Sequence, residues 1–318
     1  MQVDEIDVSQ KGKAIKVPSI KINDITIFVS GKIIKLASIK DEAWYDAAAI
    51  GDPEILIKNL MSNPTKPDIF TFSQKPPEVL PKYGYHMEWD NAAAITITSF
   101  DDWWIKKLPQ ETRKNVRKAE KKGVVVKAAN FDDELVKGIV NIYNETPVRQ
   151  GKPFWHYGKD FDTVKKENST FLTASDFIGA YHNDELIGFI KQVYVGKAAI
   201  MMQILSMSKH QDKRPTNALI AKAVEISEKK GMDYLIYGKY AYGKKTKSPL
   251  IEFKLRNGFE MMNIPKYYVP LTIKGKIVLG LKLHHGIRGL IPEKLMYFLI
   301  DLRAKMYRKK SPANNPRE

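Results

Sequence analysis

The order of secondary-structure signals in the C-terminal half constrains the fold of this chain more than any other feature. Four strand-like stretches follow one another across short turns: STFLTAS, FIGAYHN, DELIGFIKQVYV and KAAIMMQILSM. Such alternation is typical of an antiparallel meander. The loop KHQDKRP then leads to a helix over residues 216–230, the strand DYLIYG, a helix over 249–257 and the strand FEMMNIPKYYVPL. This order predicts one mixed sheet with two helices over about residues 170–270.

The N-terminal third is also predicted to be mixed α/β. IKINDITIFVSGKIIKLASI alternates apolar and polar residues around two turn signals, and further strands are predicted over residues 68–72 and 93–100. A helix is predicted to begin at Asp52-Pro53, because Asp is a good cap and Pro fits the first helical position. Its apolar face consists of Leu56, Ile57 and Leu60.

A basic helix is predicted between the two halves, from about Pro109 to Gly123. Its narrow apolar stripe consists of Leu108, Thr112, Val116 and Ala119, and its basic face carries Arg113, Arg117 and Lys121. That face either binds phosphates of RNA or lipid or is simply solvated. A second helix, with Asn130 as its predicted cap, buries Phe131, Leu135, Ile139 and Ile142.

Composition narrows the class of protein. The 318 residues suffice for two domains, and they carry a net charge of +16, which attracts anions such as nucleic acid, anionic lipid or a phosphorylated small molecule. The chain has no cysteine, which excludes disulfides, thiolate metal sites and a cysteine nucleophile. The first residues lack the pattern of a signal peptide, and no apolar run approaches the roughly 18 residues of a membrane span. We therefore expect a cytoplasmic protein.

Two segments carry a resemblance to known acyltransferases. LRNGFE (255–260) resembles the end of the second helix in the GNAT acyltransferase fold, and TRKNVRKAEKKGV (112–124) resembles the segment that joins the halves of Fem-type aminoacyltransferases. The resemblance implies an α/β fold with mixed sheets: two GNAT-like domains in tandem, a basic linking helix and a C-terminal helix. The implied domains are residues 1–105, a catalytic domain over 106–290, and a helix with a basic tail over 291–318.

The first candidate site is the loop before the helix at 216. GNAT enzymes have Gln/Arg-x-x-Gly-x-Gly/Ala there, and backbone N–H groups hold the pyrophosphate of coenzyme A. Here both glycine positions are lost, to Arg214 and Thr216, and Pro215 removes a donor. The loop still suits an anion, with the amides of Asn217 and Ala218 available. The predicted donor-binding residues are Gln211, Lys213, Arg214, Thr216 and Asn217.

The second candidate site is the segment over residues 144–161, which concentrates ionisable and aromatic side chains. Glu145 or His156 is predicted to accept a proton from an attacking amine. The predicted substrate-binding residues are Arg149, Gln150, Trp155 and Tyr157. The alternative is a surface loop pinned by buried aromatic side chains.

The third candidate site follows the buried strand DYLIYG, where a GNAT-like sheet splays. Tyr237 is predicted to protonate a leaving group and Tyr240 to contact substrate. The lysines predicted to hold donor phosphates are Lys239, Lys244, Lys245 and Lys247. A basic loop with both tyrosines in the core is the alternative.

Two further features complete the expectations. The six histidines show no HxxxH spacing and His284-His285 are adjacent, so no metal site is predicted. A C-terminal helix over 292–308 carries Leu295, Leu299, Leu302 and Met306 on one face. It either packs on its own domain or lies on a membrane surface.

The predicted activity is N-acyl transfer from an activated ester or thioester to an amine, such as an amino sugar or a cell-envelope precursor. Acyl-coenzyme A is the first expected donor, as a co-substrate rather than a tightly bound cofactor. Aminoacyl-tRNA is the alternative donor, favoured by the positive charge and the glycine-free loop. A non-catalytic protein that binds RNA or a membrane surface is the alternative from another class.

Overall fold

A computed structural model describes residues 4–10, 13–44, 51–149, 151–242 and 248–285. Gln150, Lys244, Lys245 and Lys247 lie outside the described residues, as does the helix predicted over 292–308. Within the described ranges, no helix combines the length and apolar composition needed to cross a membrane.

Five strands and one helix form the N-terminal part. The strands are β1 (Asp4–Gln10), β2 (Lys13–Ile22), β3 (Ile25–Ser30), β4 (Leu36–Ile39) and β5 (Ile69–Ser73), and the helix is α1 (Pro53–Met61). The carboxylate of Asp52 accepts the Glu54 N–H at 2.9 Å, which confirms the predicted cap. The predicted apolar face is buried at Leu56, Ile57 and Leu60.

The central segment contains β6 (His86–Thr96), α2 (Gln110–Lys121), β7 (Val125–Ala129) and α3 (Asp133–Asn144). The strand predicted over 93–100 is wrong in its bounds, because Ser99 caps a helical turn that begins at Phe100. The cap of α3 is Asp132 rather than Asn130, since the Asp132 side chain accepts the Leu135 N–H at 2.9 Å.

The remaining elements follow the predicted C-terminal order. They are β8 (Val148–Arg149), β9 (Lys152–Pro153), α4 (Phe161–Asn168), β10 (Ser175–His182), β11 (Glu185–Val195), β12 (Ala198–Ser206), α5 (Pro215–Lys229), β13 (Tyr234–Ile236), α6 (Pro249–Arg256), β14 (Glu260–Pro270) and α7 (Ile273–Gly280). STFLTAS is not a strand: it follows the end of α4 at Asn168 and contains a 3-10 turn over Leu172–Ala174, and β10 begins at Ser175.

Twelve of the fourteen described strands form one sheet with a symmetric order, and β8 and β9 pair separately with each other. The order is β1-β2-β3-β4-β5-β14-β6-β13-β12-β11-β10-β7. From either edge, four antiparallel strands meet a parallel fifth strand, β5 beside β4 and β13 beside β12. The last strand of each half lies beside strands of the other half: β6 pairs with β13, and β14 pairs with β5. The sheet therefore joins two halves of the same strand order, as a tandem GNAT-like fold requires. The boundary at residue 105 stays a prediction.

Each half has its own apolar core. Helix α1 packs on the N-terminal strands. Helix α5 buries Leu219, Ile220 and Val224 against one face of the C-terminal sheet, with Ala93 of β6 and Ala199 of β12 beneath them. Burial of a Leu or Ile side chain contributes about 1.5–3 kcal/mol, so these contacts fix α5, and with it the loop at its start.

Candidate functional site

A splay between two parallel strands marks the centre of the C-terminal half. β12 and β13 pair only over Ala198–Ile200 and Tyr234–Ile236. β13 then ends, while β12 continues to Ser206 and pairs with β11 alone. A bulge at Met202 interrupts that pairing, since the register jumps from Gln203 to Met201. Backbone groups beyond Ile200 therefore lie at an opening in the sheet.

A cleft of about 750 Å³ lies beside this opening, between α2, the start of α5 and the end of α6. Four of the five predicted donor-binding residues line it: Gln211, Arg214, Thr216 and Asn217. Arg256 also lines the cleft, and its guanidinium pairs with Glu252 at 2.6 Å. The fifth predicted residue, Lys213, is paired within the loop, with its Nζ 3.1 Å from His210 Nδ1.

The backbone at the start of α5 differs from the predicted anion-binding arrangement. Arg214 has a left-handed conformation, φ +58°, at a position where the GNAT pattern has glycine. The Arg214 carbonyl accepts the N–H groups of Asn217 at 3.2 Å and Ala218 at 3.5 Å. The prediction that these two amides are available to an anion is therefore wrong. With these amides engaged, the groups left to bind an anion at this loop are chiefly side chains, and the left-handed arginine costs about 1–2 kcal/mol relative to glycine.

The Asn-Gly sequence after α6 holds two walls of the cleft together. Asn257 is buried; its Oδ1 accepts a hydrogen bond from Asn217 Nδ2 at 2.9 Å, and its Nδ2 donates to the Phe253 carbonyl at 2.8 Å. Gly258 follows with φ +77°, which favours glycine. Across the loop, the hydroxyls of Ser206 and Thr216 lie 2.9 Å apart. The cleft is thus positioned by α5, α6 and β12.

A buried lysine, Lys254, lies at the splay. It projects from α6, is only 1% exposed, and donates to the carbonyl of Lys239. Its Nζ lies 4.8 Å from the ring centre of Tyr237 and 5.5 Å from that of Tyr242. Burial lowers the pKa of Lys254 to about 8. The chain therefore has a buried lysine of lowered pKa beside Tyr237, the tyrosine predicted to be catalytic.

Tyr237 itself is half-buried, near the rings of Phe253 and Phe259. Burial raises the pKa of its hydroxyl, so Tyr237 stays protonated and suits a proton donor. Tyr240 is half-buried against the same core, as the structural alternative expected.

The segment over 144–157 lies next to the donor loop rather than on a separate side. Glu145 accepts the N–H groups of Ser208 and Lys209, each at 2.7 Å, and pairs with Arg149 at 3.3 Å. Arg149 also donates to the carbonyls of Ser206 and Ile142, each at 3.0 Å. With both oxygens engaged, Glu145 is better placed to anchor the loop than to accept a proton.

His156 is buried under aromatic rings. Its Nε2 lies 3.3 Å from Gln203 Nε2, and its ring centre lies 4.1 Å from that of Tyr143. Burial, with the charges of Lys159 and Arg149, lowers the pKa of His156 to about 3. A base this weak is poorly matched to proton abstraction at neutral pH. The arrangement favours the alternative of a loop pinned by buried aromatic groups.

The two other aromatic residues predicted to bind substrate are accessible. Trp155 is 66% exposed and Tyr157 is 48% exposed. The ammonium of Lys159 lies 3.9 Å from the Trp155 ring centre, a cation–π contact that occupies one face of the indole. Their role in binding substrate stays a prediction.

Sequence reasoning missed Lys254 and the opposite face of the splay. There, a second cleft of about 320 Å³ has an apolar floor that includes Ala92, Ile200 and Ile236. These residues alternate with Ala93, Ala199 and Leu235, which pack under α5, so the second cleft lies on the other side of the sheet. Lys239 lines it, paired with Asp90 at 2.7 Å. A lysine within a predicted helix gave no signal that it would be buried.

Comparison with known proteins supports the fold. No protein-family model and no curated sequence matches the chain. Among solved structures, it is similar to the C-terminal domain of a protein described as a lysylphosphatidylglycerol synthetase of Agrobacterium fabrum, with 12% identity, a TM-score of 0.53 and coverage of 84% of this chain and 88% of that one. L-PGS of Bacillus licheniformis gives the same values. FemX is similar with 10% identity, a TM-score of 0.52 and coverage of 87% and 90%. The expected Fem-type, GNAT-like fold is confirmed.

Proposed function

We propose that this chain is an acyltransferase that moves an aminoacyl group from aminoacyl-tRNA to an amine. The observation that carries the proposal is Lys254, a buried lysine of lowered pKa at a splay that has a polar cleft on one sheet face and an apolar cleft on the other. Proteins of similar fold are named for lysylphosphatidylglycerol synthesis, which agrees with transfer of an aminoacyl group.

The donor is assigned to the cleft at the start of α5. Arg214 and Arg256 line it, and the exposed lysines of α2, Lys114, Lys118 and Lys121, lie on a neighbouring element. Side chains rather than a glycine-rich backbone offer the positive charge. This arrangement suits the sugar-phosphate chain of a nucleic acid better than the pyrophosphate of coenzyme A, which GNAT enzymes hold with backbone amides.

Lys254 is assigned the proton transfers. The acceptor nitrogen attacks the ester carbonyl, a C–N bond forms and the C–O bond to the ribose breaks. The attacking amine loses one proton and the leaving oxygen gains one, so no net proton is consumed. A lysine with a pKa of about 8 can donate a proton to the leaving oxygen and take up the proton that the amine loses. The hydroxyl of Tyr237 is the candidate relay. A ribose alkoxide needs such an acid more than a thiolate does, which further favours an oxygen ester as donor.

The acceptor is assigned to the second cleft. Its apolar floor and the Lys239–Asp90 pair at its rim suit a molecule with an apolar portion and a charged amine. Glu42 also lines this cleft, and burial raises the pKa of its carboxyl group. Segment 144–157, in which Glu145 or His156 was predicted to take the proton of the attacking amine, is instead assigned to holding the donor loop.

Donor binding is the first test. Unacylated tRNA and coenzyme A are titrated separately into the full chain and into Arg214→Gly. Loss of a charged hydrogen bond of about 1.5–3 kcal/mol predicts roughly 10–150-fold weaker tRNA binding. Glycine also relieves the left-handed strain, so the variant should unfold no more easily than the parent. Lys66→Gly is the matched control: Lys66 is exposed and left-handed, φ +44°, but does not line the cleft.

The outcomes separate the candidate functions. Binding of coenzyme A but not of tRNA would indicate that the donor is acyl-coenzyme A. Equal weakening by Lys66→Gly would mean that only net charge matters. Salt-sensitive tRNA binding with no turnover for any aminoacyl donor and amine would support a non-catalytic RNA-binding protein.

Lys254 is tested by turnover. Lys254→Met should lower kcat by about 10²–10⁴-fold and abolish the limb of the pH–rate profile near pH 8. Lys191→Met is the matched control, because burial also lowers the pKa of Lys191 to about 8. Its Nζ donates to the Asn168 carbonyl at 2.8 Å and to the Thr170 hydroxyl at 3.0 Å, in a different contact from that of Lys254. An unchanged profile in Lys254→Met would remove Lys254 from the chemistry.

A further inference from the structure

Three imidazoles converge on one carboxylate at the far end of β6. Nε2 of His284 lies 2.8 Å from Glu88 Oε1, and Nε2 of His86 lies 3.4 Å from the same oxygen. Nε2 of His285 lies 2.8 Å from Glu88 Oε2. The ligand atoms of His86, Glu88 and His284 all lie within 4.8 Å of one another. Half of the six histidines in the chain thus share one locus.

Hydrogen bonding alone explains this cluster poorly. Oε1 of Glu88 is approached by all three Nε2 atoms, since His285 also lies 3.1 Å from it, yet a carboxylate oxygen has two lone pairs. The His284 side chain is fully buried, and its Nδ1 has no hydrogen-bond partner. A buried polar atom without a partner costs about 1–3 kcal/mol, so the ring needs a strong interaction at Nε2 to offset it.

The arrangement matches the coordination of a divalent transition metal. Zn²⁺ binds imidazole nitrogen and carboxylate oxygen at about 2.0–2.2 Å, most often with four ligands in a tetrahedron. Ligand atoms in such a tetrahedron are about 3.3–3.6 Å apart. Nε2 of His86 has this separation from the carboxylate oxygen, at 3.4 Å, whereas Nε2 of His284 and of His285 lie at 2.8 Å, a hydrogen-bond distance from which each ring would move out by about 0.5 Å around an ion. Imidazole-rich sets favour Zn²⁺, Ni²⁺ or Cu²⁺ over Mg²⁺ and Ca²⁺. The His86 and His285 side chains are 43% and 40% exposed, which leaves an entry path.

The four residues come from two distant parts of the chain. His86 and Glu88 are two positions apart on β6, and so project from one face of the strand. His284 and His285 form a 3-10 turn after α7, and α7 packs on Ile69 and Tyr268. An ion here would attach this turn to β6, the strand of the N-terminal half that pairs with β13 of the C-terminal half.

We propose that His86, Glu88 and His284, whose ligand atoms lie within 4.8 Å of one another, form the core of a structural site for a divalent transition metal, with Zn²⁺ as the preferred ion. His285, which lies against the other oxygen of Glu88, turns in to complete the site. Sequence spacing predicted no metal site, because no two of these residues have helical ligand spacing. The role of the ion is to attach the turn after α7 to β6, separately from the proposed transfer reaction.

The test uses the full chain after removal of metal with a chelator. Calorimetric titration with Zn²⁺ should give about one ion per chain and a higher melting temperature, whereas Mg²⁺ should produce neither effect. Co²⁺ should produce the visible absorption of a tetrahedral nitrogen–oxygen site. The buried His284 risks misfolding when replaced, so the decisive variants are the exposed ligands, His86→Ala and His285→Ala. Each should weaken Zn²⁺ binding at least about tenfold, as loss of a ligand requires.

His182→Ala and His210→Ala are the matched controls, because these two histidines form the other close pair outside the cluster, with ring centres 5.7 Å apart. Both controls should bind Zn²⁺ like the parent. Absence of Zn²⁺ uptake by the parent would overturn the proposal, as would uptake that survives both His86→Ala and His285→Ala. Uptake lost equally in the controls would indicate adventitious binding to surface histidines and would also overturn it.

Discussion

Glu145→Gln separates an anchoring role from a catalytic one. Glu145 is 12% exposed and accepts two backbone N–H groups, from Ser208 and Lys209. The amide of glutamine has one accepting oxygen, so one N–H loses its partner, and the charge opposite Arg149 is lost as well. Hydrogen bonds to charged groups contribute about 1.5–3 kcal/mol each. We therefore expect the free energy of unfolding to fall by about 2 kcal/mol.

The assay is urea unfolding followed by circular dichroism, which needs no substrate. Glu134→Gln is the control on the same helix: Glu134 is 83% exposed and pairs only with Lys137, so its change should stay within about 0.5 kcal/mol. Donor affinity should fall with stability, because the loop over 208–213 loses its attachment. Unchanged unfolding together with turnover reduced by about 10²–10⁴-fold would refute this reasoning and make Glu145 the base.

Two further predictions concern stability. Gly258→Ala should destabilise the fold by about 1–3 kcal/mol, since a Cβ at φ +77° would lie 2.7 Å from Nε1 of the buried Trp103. Gly280→Ala is the control: its Cβ would meet no atom within 4 Å, so the variant should be neutral or slightly stabilised in the same urea assay. Because the pKa of His156 is lowered to about 3, unfolding exposes a stronger base, so protonation favours the unfolded state as pH falls below about 6.5. Between pH 7 and pH 5 this costs the parent about 2 kcal/mol, and His156→Gln should lose that much less over the same interval. Identical pH dependence in both proteins would show that His156 is solvated.

Local signals account for the elements that were predicted correctly. Asp52-Pro53 begins α1, α5 begins at Pro215, one residue before the predicted start, and Ser248 caps α6 with its side chain accepting the Ile251 N–H. Each of these depends on atoms within four residues, so the sequence states them directly. Local signals also explain the wrongly predicted strand at STFLTAS, because the sequence there is judged from its composition alone. STFLTAS has the composition of a strand, but the chain there makes a 3-10 turn in which Phe171 has a left-handed φ of +56°.

The exchange of β6 and β14 was not predictable from alternation. A period of two shows which face of a strand is apolar but not which strand lies beside it. β14 pairs with β5, about 200 residues earlier in the chain, and such pairing is selected by how both cores close around the sheet. The two halves share their strand order without a detectable sequence repeat for the same reason: many sequences satisfy one pattern of inward and outward residues.

The sequence by itself determined the mixed α/β order of the elements, because that order follows from nearby residues, and the resemblance to GNAT enzymes indicated the loop before α5 and Tyr237 at the splay. Only the tertiary structure decided which charged groups are buried. Lys254 occupies a position that a helical pattern leaves to solvent, yet the loop over 237–242 packs against it. Glu145, His156 and the histidines around Glu88 acquire their roles in the same way. A side chain's pKa and partners depend on desolvation and on charges within a few ångströms, and elements distant in sequence supply both.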